Sequence, residues 1–342
     1  MSEDYIELDG SFGEGGGAIL RVSAGLACCF HKLLKIGKIR QNRPQPGLKT
    51  QHLIGIQSLV QLTNGFSSEI KLGTTELEFK PGSAWNTQNE ITIPTAGNVG
   101  LLCQSLYNAL YFAPEQQYVF NIHGGGTYGT HAPGTSYMLH VVFPILTKLG
   151  YKVELKVRQQ GFFPKGGAEA QLTIIPGPSN YKGLILDSKG ELKSIKGEVH
   201  VHETLKKPKV AERIIKGIQN SLGGIINPEI QVEITPYYDA ALSVGVGLDV
   251  YCEFSSGAIL GTGTILGERG VPSEEIGRRA ALKVKKIVES PATVDEYASD
   301  QLLTFLSLMK APSKFIVEGF SSHFNTNLEI LKCFSDKKSK IT

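Results

Sequence analysis

The stretch Tyr5-Ile-Glu-Leu-Asp-Gly-Ser-Phe-Gly-Glu-Gly-Gly-Gly-Ala-Ile-Leu-Arg21 joins an alternating segment, a glycine-rich turn and an apolar run. The alternation over residues 5–8 predicts a β-strand, and the apolar run over residues 17–30 predicts an α-helix. Backbone amides of a glycine-rich turn before a helix are well placed to bind an anion. The segment therefore predicts a strand-and-helix unit with an anion site at its turn.

A cationic segment continues from this turn. Between Glu14 and Glu69 the chain has no acidic residue, yet it carries seven basic ones: Arg21, Lys32, Lys35, Lys38, Arg40, Arg43 and Lys49. The whole chain is nearly balanced, with 35 basic and 32 acidic residues, which excludes a uniformly basic protein that coats nucleic acid. We expect the glycines and arginines to converge on a phosphate-bearing ligand, and a solvated basic face is the alternative.

Length and composition point to a protein with sizeable cores and no membrane span. The 342 residues are 41% hydrophobic, which favours two domains or one domain with a large insertion. No apolar stretch approaches the ~18 residues of a membrane helix, and the N-terminus lacks a secretory signal. Five cysteines, including adjacent Cys28 and Cys29, fit neither a disulfide framework nor a zinc site. We therefore expect an intracellular protein with reduced, mostly buried thiols.

Strand-like and helix-like segments alternate, which predicts an α+β fold. The predicted strands cover residues 5–8, 69–72, 76–79 and 118–122. The predicted helices cover residues 17–30, 51–61, 98–112 and 134–148. Helices recur about every forty residues, each followed by extended runs, as if one strand-and-helix unit were repeated three times.

A domain boundary is predicted at the turn-rich stretch Pro176-Gly-Pro-Ser-Asn-Tyr-Lys-Gly183. Beyond it we expect a compact α/β insert over residues 185–291, with helices at 210–222 and 273–290. Residues 292–342 return to helix, a strand at 315–318, and helix. The large domain would thus comprise residues 1–184 and 292–342.

Four blocks carry a resemblance to a known family. They are residues 9–21 quoted above, Ile39-Arg-Gln-Asn-Arg43 with Pro46-Gly-Leu-Lys-Thr-Gln-His52, Gly161-Phe-Phe-Pro-Lys-Gly-Gly167, and Ser322-His-Phe-Asn-Thr-Asn327. In these blocks the chain resembles the RNA 3′-terminal phosphate cyclase family. The resemblance implies a large domain of three repeated units, similar to the C-terminal domain of translation initiation factor three, interrupted by a smaller domain.

The resemblance also implies a three-step reaction. ATP adenylates an enzyme histidine, AMP passes to an RNA 3′-phosphate, and the vicinal 2′-hydroxyl attacks to leave a 2′,3′-cyclic phosphate. His323 matches the nucleophile. The alternative role for His323 is structural, with the hydrogen bonds of its ring satisfied at a helix terminus. The other histidines singled out are expected to be structural, although His200 and His202 could share one strand face; this set is His31, His123, His140, His200 and His202.

Further site residues follow from the resemblance alone. Arg21, Arg40 and Arg43 match positions that contact nucleotide or RNA phosphates, and Glu14 matches a carboxylate linked to magnesium or manganese. Matches to the rest of the pocket are Gln51, Gln104, Pro133, Tyr297, Asp300 and Gln301, the last four around the adenosine. For Glu14 the alternative is an ion pair with Arg21, and for Tyr297 it is ordinary core packing.

The sequence also departs from the family pattern at Gln160, Ala168 and Ser136. Two other functions therefore stay open: a cyclase-like ribosomal RNA processing protein that does not adenylate, and an anion-binding transferase of similar fold such as an enolpyruvyl transferase. His323 together with Glu14 favours the cyclase. The expected partner is RNA with a 3′-phosphate end, association with further copies is open, and the expected location is the cytoplasm, or the nucleus of a eukaryote.

Overall fold

A computed structural model describes residues 5–177, 181–223 and 226–334. The fold is mixed α+β, as predicted. Its helices are α1 (Gly17–Phe30), α2 (Thr50–Thr63), α3 (Val99–Ala109), α4 (Thr135–Tyr137), α5 (Phe143–Lys148), α6 (Val210–Leu222), α7 (Ser273–Glu289), α8 (Glu296–Ser307) and α9 (Ser322–Phe334). One π-helical segment, Met138–Val142, joins α4 to α5, and a short 3₁₀ turn covers Glu203–Leu205.

The strands of the described residues belong to three β-sheets. They are β1 (Tyr5–Asp9), β2 (Leu33–Gly37), β3 (Phe66–Ser67), β4 (Leu77–Lys80), β5 (Gln88–Asn98), β6 (Tyr118–Gly126), β7 (Lys152–Gln159), β8 (Glu169–Ile175), β9 (Leu192–His202), β10 (Gln231–Asp239), β11 (Val246–Phe254), β12 (Ile259–Gly261) and β13 (Ile265–Leu266).

The first two sheets have the same topology. Their strand orders are β1-β2-β4-β3 and β5-β6-β8-β7. In each sheet the first pair is parallel and joined through a helix, while the other pairs are antiparallel. The third sheet has the order β10-β9-β11-β12, with β13 also paired to β11, and it packs against α6 and α7.

Buried apolar side chains fall into two large cores. The first draws its members from residues 20–184 and 294–309, and the second from residues 195–292. A parallel bridge between Ile185 and Lys314 joins the two stretches that flank the second core in sequence. None of the helices in the described parts of the chain is long and apolar enough to cross a membrane.

Two predicted strands are wrong. Residues 69–72 run into a turn in which Lys71 N donates to Thr74 Oγ1 (2.9 Å) and Thr74 N donates to Lys71 O (3.1 Å). Residues 315–318 alternate in burial but have no ladder partner, apart from the bridge at the preceding Lys314. Alternation predicts which face a side chain takes, and it does not supply a neighbouring strand. Of the predicted domain boundary, residues 178–180 lie outside the described residues, as does the chain after residue 334.

A small third core attaches α9 to α1. Ile19, Val22 and Leu26 of α1 pack against Ile330 and Leu331 of α9. At the first turn of α9, Gly13 has φ +57°, and a Cβ atom there would lie 2.6 Å from Thr326 Oγ1. Only glycine tolerates both the left-handed backbone and this contact. The glycine-rich turn is therefore held directly against the start of α9.

Candidate functional site

A cavity of about 650 Å³ opens where the two large cores meet. Seven of the residues expected in the site line it: Arg21, Gln104, Pro133, Tyr297, Asp300, Gln301 and His323. They come from α1, α3, α8, α9 and the loop before α4. Residues 263–266 and two basic residues of α7, Arg279 and Lys283, form the opposite wall. The volume is in the range of pockets that hold a small ligand such as a nucleotide.

His323 lies at the N-terminal end of α9, where Ser321 Oγ accepts from Phe324 N (2.9 Å) and caps the helix. Its Nδ1 atom is 3.2 Å from Glu14 Oε2. Burial lowers the pKa of His323, and the nearby Arg21, Arg43 and His131 lower it further, while Glu14 acts in the opposite direction. The ring is therefore neutral at physiological pH.

Glu14 lies in the glycine-rich turn and connects several of the expected residues. Its Oε2 atom is 3.5 Å from Arg43 Nη2, and its Oε1 atom accepts a hydrogen bond from Ser322 Oγ. The sequence left an ion pair of Glu14 with Arg21 as an alternative. In the structure Glu14 pairs with Arg43 and His323 instead. When Glu14 accepts the proton at His323 Nδ1, the lone pair of the neutral ring is at Nε2.

Arg21 points into the cavity from α1. Its Nε donates to Gln104 Oε1 (3.3 Å), so both side chains are oriented from neighbouring helices. Burial lowers the pKa of Arg21 to about 10, and the guanidinium therefore stays charged at neutral pH. A desolvated, permanent charge beside a neutral imidazole is suited to bind phosphate.

Four of the expected site residues lie outside the cavity lining: Glu14, Arg40, Arg43 and Gln51. Arg40 is only 7% exposed, and its Nη1 donates to the carbonyls of Gln45 (2.7 Å) and Gly47 (2.9 Å). Gln51 precedes His52 on α2, with 3.4 Å between Gln51 Nε2 and His52 Nε2. Arg40 thus holds the loop that carries Arg43.

His52 is a residue of this site that sequence reasoning missed. A Cβ atom at Gly17 would lie 2.3 Å from His52 Nε2 and 2.9 Å from Arg21 Nη1, so glycine is required for this close approach. Burial lowers the pKa of His52 to about 3, and Arg21, Arg40 and Lys49 contribute to the shift. Its Nδ1 accepts from Lys49 N (3.1 Å), which makes Nε2 the donor of a neutral ring.

Asp300 and Tyr297 lie on α8 and line the cavity. Burial raises the pKa of Asp300 to about 7, although a hydrogen bond from Ser321 Oγ (2.6 Å) opposes the shift. Tyr297 is 38% exposed and lines the cavity, so ordinary core packing does not describe it. Gly263 has φ +65°, and a Cβ atom there would be 2.5 Å from the Tyr297 ring. The ring is therefore held from one side and exposed on another.

Lys283 and Arg279 were not predicted, and no local motif marks them. Lys283 Nζ donates to Thr262 O (2.8 Å) and to Tyr297 Oη (3.3 Å), and it lies 5.3 Å from the centroid of the Tyr297 ring. Arg279 pairs with Glu268 (2.6 Å), which also lines the cavity. His131, in the loop before α4, is a further lining residue. Lys283 lies 14 residues from Tyr297 and Arg279 lies 11 residues from Glu268, but no short spacing marks either pair.

The sequence model of the RNA 3′-terminal phosphate cyclase family matches residues 12–341. The chain belongs to this family. An "RNA 3′-terminal phosphate cyclase" of Methanopyrus kandleri is 35% identical over 336 residues, which cover 96% of this chain and 93% of the relative. One of Thermococcus kodakarensis is 34% identical over 337 residues, covering 97% and 93%. A "Probable RNA 3′-terminal phosphate cyclase" of Dictyostelium discoideum is 32% identical over 332 residues, covering 95% and 75%.

The departures from the cyclase-family pattern are buried. Ser136 Oγ donates to Glu198 Oε2 (2.6 Å) and lies 2.8 Å from Tyr128 Oη. An aspartate at this position would place two carboxylates together, so serine suits the neighbouring Glu198. Ala168 is fully buried, and Gln160 is 7% exposed. Neither of these two lines the cavity.

Glu198 belongs to a polar network between the two large cores of this cyclase-family chain. His140 Nε2 is 3.0 Å from Glu198 Oε1, and His200 lies between Glu198 (3.4 Å) and Asp239 (2.9 Å). Burial lowers the pKa of His200, but the hydrogen bonds from the ring to Asp239 and Glu198 outweigh it and raise the pKa to about 9. His200 is therefore charged at neutral pH, and it is not among the residues that line the cavity.

Proposed function

We propose that this protein uses ATP to convert an RNA 3′-phosphate into a 2′,3′-cyclic phosphate through a covalent histidine–AMP enzyme. Membership of the cyclase family and the names of the relatives support the overall reaction. One observation carries the adenylation step: His323 lines a nucleotide-sized cavity with its Nδ1 3.2 Å from Glu14. That contact leaves Nε2 as the nucleophilic atom of a neutral imidazole.

In the first step, His323 Nε2 attacks the α-phosphorus of ATP, forms an N–P bond, and displaces pyrophosphate. Negative charge develops on the leaving pyrophosphate, so fixed cations lower the barrier. Arg21 and Arg43 are assigned to this task, because Arg21 lines the cavity and Arg43 is held beside Glu14. Arg40 is assigned a positioning role through the carbonyls of Gln45 and Gly47.

The adenosine is assigned to the side of the cavity formed by Pro133 and α8. The Tyr297 ring is the aromatic surface for the base. Asp300 and Gln301 are assigned to the ribose and to polar atoms of the base, and Gln104 supports the same wall through its bond to Arg21. Asn98 Nδ2 donates to Pro133 O (3.1 Å), which fixes the loop that carries Pro133.

Glu14 is assigned to a magnesium or manganese ion. Within the described ranges no group of three His, Cys, Asp or Glu residues is arranged to hold a metal by itself. Magnesium in nucleotide sites is commonly bound by one or two carboxylates together with substrate phosphates, which agrees with a single carboxylate here. When bound, the ion would neutralise negative charge on the phosphate groups.

In the second step, an oxygen of the RNA 3′-phosphate attacks the phosphorus of the histidine-bound AMP, and the N–P bond to His323 breaks. In the third, the terminal 2′-hydroxyl attacks the 3′-phosphorus, loses its proton, and displaces AMP. The last attack is intramolecular and gains from proximity. Gln51 is assigned to the RNA phosphate, since it precedes the buried His52 beside Arg21.

We also propose the finer organisation of the chain. Residues 1–184 and 292–342 would form a large domain of three repeated units, and residues 185–291 an insert domain. Two sheets of identical strand order support the first two units. Two observations support a third unit. Ile185 forms a bridge with Lys314, and helices α8 and α9 lie before and after Lys314 in the chain. The two separate large cores support the insert.

The decisive experiment is incubation with ATP labelled at the α-phosphate and magnesium, followed by denaturation. We expect the wild-type protein to retain label and His323→Ala to retain none, because the variant lacks the accepting nitrogen. A phosphoramidate is acid-labile and alkali-stable. A labelled His323→Ala protein, or an acid-stable label on wild type, would contradict the assignment.

His131→Ala is the matched control, because it removes another histidine that lines the same cavity. It should still become labelled. If wild type takes up no label but still alters RNA 3′-phosphate ends, the non-adenylating alternative is favoured. Binding of a small anionic substrate without any action on RNA would favour a transferase.

A further inference from the structure

The loop that carries Glu14 also presents a large aromatic ring to solvent. Phe12 is 50% exposed, although phenylalanine is usually buried. We infer that Phe12 stacks on one of the last two bases of the RNA substrate. This inference rests on the proposed function, since it concerns the RNA that the same site would bind.

The backbone on either side of Phe12 is fixed, so the ring is held outward by the fold. Phe12 N donates to Asp9 O (3.1 Å), and Gly15 N donates to Phe12 O (2.9 Å). The next residue, Gly13, is pressed against Thr326 of α9. The loop also contacts the cationic segment, because Asn42 Nδ2 donates to Ser11 O (3.3 Å). A phenylalanine in this turn has little freedom to fold back into a core.

The position of Phe12 suits a base that is attached to a bound terminal phosphate. Phe12 is two residues from Glu14, which contacts both His323 (3.2 Å) and Arg43 (3.5 Å). Single-stranded RNA is commonly bound by cationic groups on the phosphates and by aromatic rings under unstacked bases. The arginine and the aromatic ring are both present at this loop. Stacking also tolerates any base, as a reaction on RNA ends of varied sequence would require.

The test measures binding of a fluorescent oligoribonucleotide with a 3′-phosphate, by anisotropy and without ATP. Phe12→Ala should weaken the affinity by on the order of tenfold, the size expected for loss of one base–aromatic stack. Phe12→Leu should weaken the affinity similarly, because leucine is apolar but has no ring. Phe12→Trp should keep the wild-type affinity. Phe66→Ala removes another exposed phenylalanine (62%), on β3, and should leave the affinity unchanged.

A second oligonucleotide, abasic at its last two nucleotides, identifies the partner of the ring. Wild type should bind it about as weakly as Phe12→Ala binds the intact oligonucleotide, and the variant should show no further loss. Full additivity of the two losses would overturn the inference. So would unchanged affinity of Phe12→Ala, or a change in oligomeric state on size-exclusion chromatography, which would make the ring a protein contact.

Labelling with AMP separates this inference from the proposed function. Adenylation needs no RNA, so Phe12→Ala should label itself at the wild-type rate. If wild type fails to label but the anisotropy results hold, the adenylation mechanism is wrong and the RNA contact stands. If wild type labels normally and Phe12→Ala binds RNA like wild type, the RNA contact is wrong and the mechanism stands.

Discussion

Replacing Arg40 with alanine should affect the protein differently from replacing Arg43, although the sequence gives both arginines the same role. Arg40 is 7% exposed and donates to the carbonyls of Gln45 (2.7 Å) and Gly47 (2.9 Å). The Arg43 side chain is 39% exposed and lies 3.5 Å from Glu14 Oε2. We therefore expect Arg40→Ala to reduce both stability and activity, and Arg43→Ala to reduce activity alone.

The magnitude follows from the groups that each change leaves behind. Gly47 is buried, so its carbonyl would lose its charged donor without gaining water, at a cost of about 1–3 kcal/mol. Gln45 is exposed, and its carbonyl would be hydrated instead. The surface ion pair of Arg43 contributes roughly 0–1 kcal/mol to stability. As a phosphate contact, however, Arg43 would contribute about 1.5–3 kcal/mol to binding.

The assay pairs urea denaturation, followed by circular dichroism, with the rate of AMP labelling. Lys35→Ala is the control, because Lys35 belongs to the same cationic segment but pairs with Glu78 (2.7 Å) at the surface of β2. It should match wild type in both measurements to within experimental error. Suppose instead that Arg40→Ala is as stable as wild type and labels as slowly as Arg43→Ala. Direct phosphate contact would then be the better account of Arg40, and the reasoning from its carbonyl bonds would be refuted.

Three further results are expected. Because burial raises the pKa of Asp300 to about 7, its carboxylate becomes available to ribose hydroxyls only as the pH rises. The KM for ATP should therefore fall roughly tenfold between about pH 6 and pH 8. Asp300→Asn should remove this pH dependence of the KM. An RNA 3′-phosphate with a terminal 2′-deoxy sugar should accumulate as an AMP-capped end with no cyclic product, and an unmodified deoxy end beside a cyclised ribose end would contradict the order of steps. The pKa of His200 is raised to about 9, so the stabilisation from its charged ring is complete below the unfolded pKa of about 6.5 and is lost as the pH rises through 9. The free energy of unfolding, measured by urea denaturation, should fall by up to about 3 kcal/mol over that window. His200→Gln should flatten the fall.

Helices were the most predictable part of the fold. The predicted ranges 17–30 and 210–222 coincide with α1 and α6. Each has an apolar periodicity that ends at a clear break: His31 adopts a left-handed conformation after α1, and Gly223 follows α6. Residues 69–72 and 315–318 failed because alternation alone cannot identify a hydrogen-bonded partner. A strand requires that partner, and the partner is set by tertiary structure.

The site was predictable only as far as ordered motifs mark it. Resemblance brought together Glu14, Arg43 and His323, and the geometry joins all three. It did not indicate that Arg40 would bind carbonyls or that Lys283 would contact Tyr297. The carbonyls lie 5 and 7 residues from Arg40, and Tyr297 lies 14 residues from Lys283, so distance in sequence is not the obstacle. The contacts depend on the path of the loop after Arg40 and on how α7 is placed relative to α8. No residue type at a local spacing encodes such a contact.

The cavity has walls from both large cores, so its shape depends on whatever fixes one core against the other. Buried polar contacts cross this junction. Asp295 caps α8 and also accepts from Tyr137 Oη (2.6 Å) and from Gly261 N (2.8 Å) of β12. Thr264, in the opposite wall, accepts from Gly134 N (2.6 Å) next to Pro133.

Hydrogen bonds of this kind fix distance and direction more strictly than apolar packing does, and inside a protein they are costly to leave unmade. The contacts of Asp295 and Thr264 therefore fix α8, which carries Tyr297, and the loop that carries Pro133 against residues 261–264. Because the network of Ser136, Glu198 and His200 crosses the same junction, the titration of His200 should act on the cavity as well as on stability. The second large core is thus a structural part of the cavity, although the proposed nucleophile and its carboxylate lie outside that core.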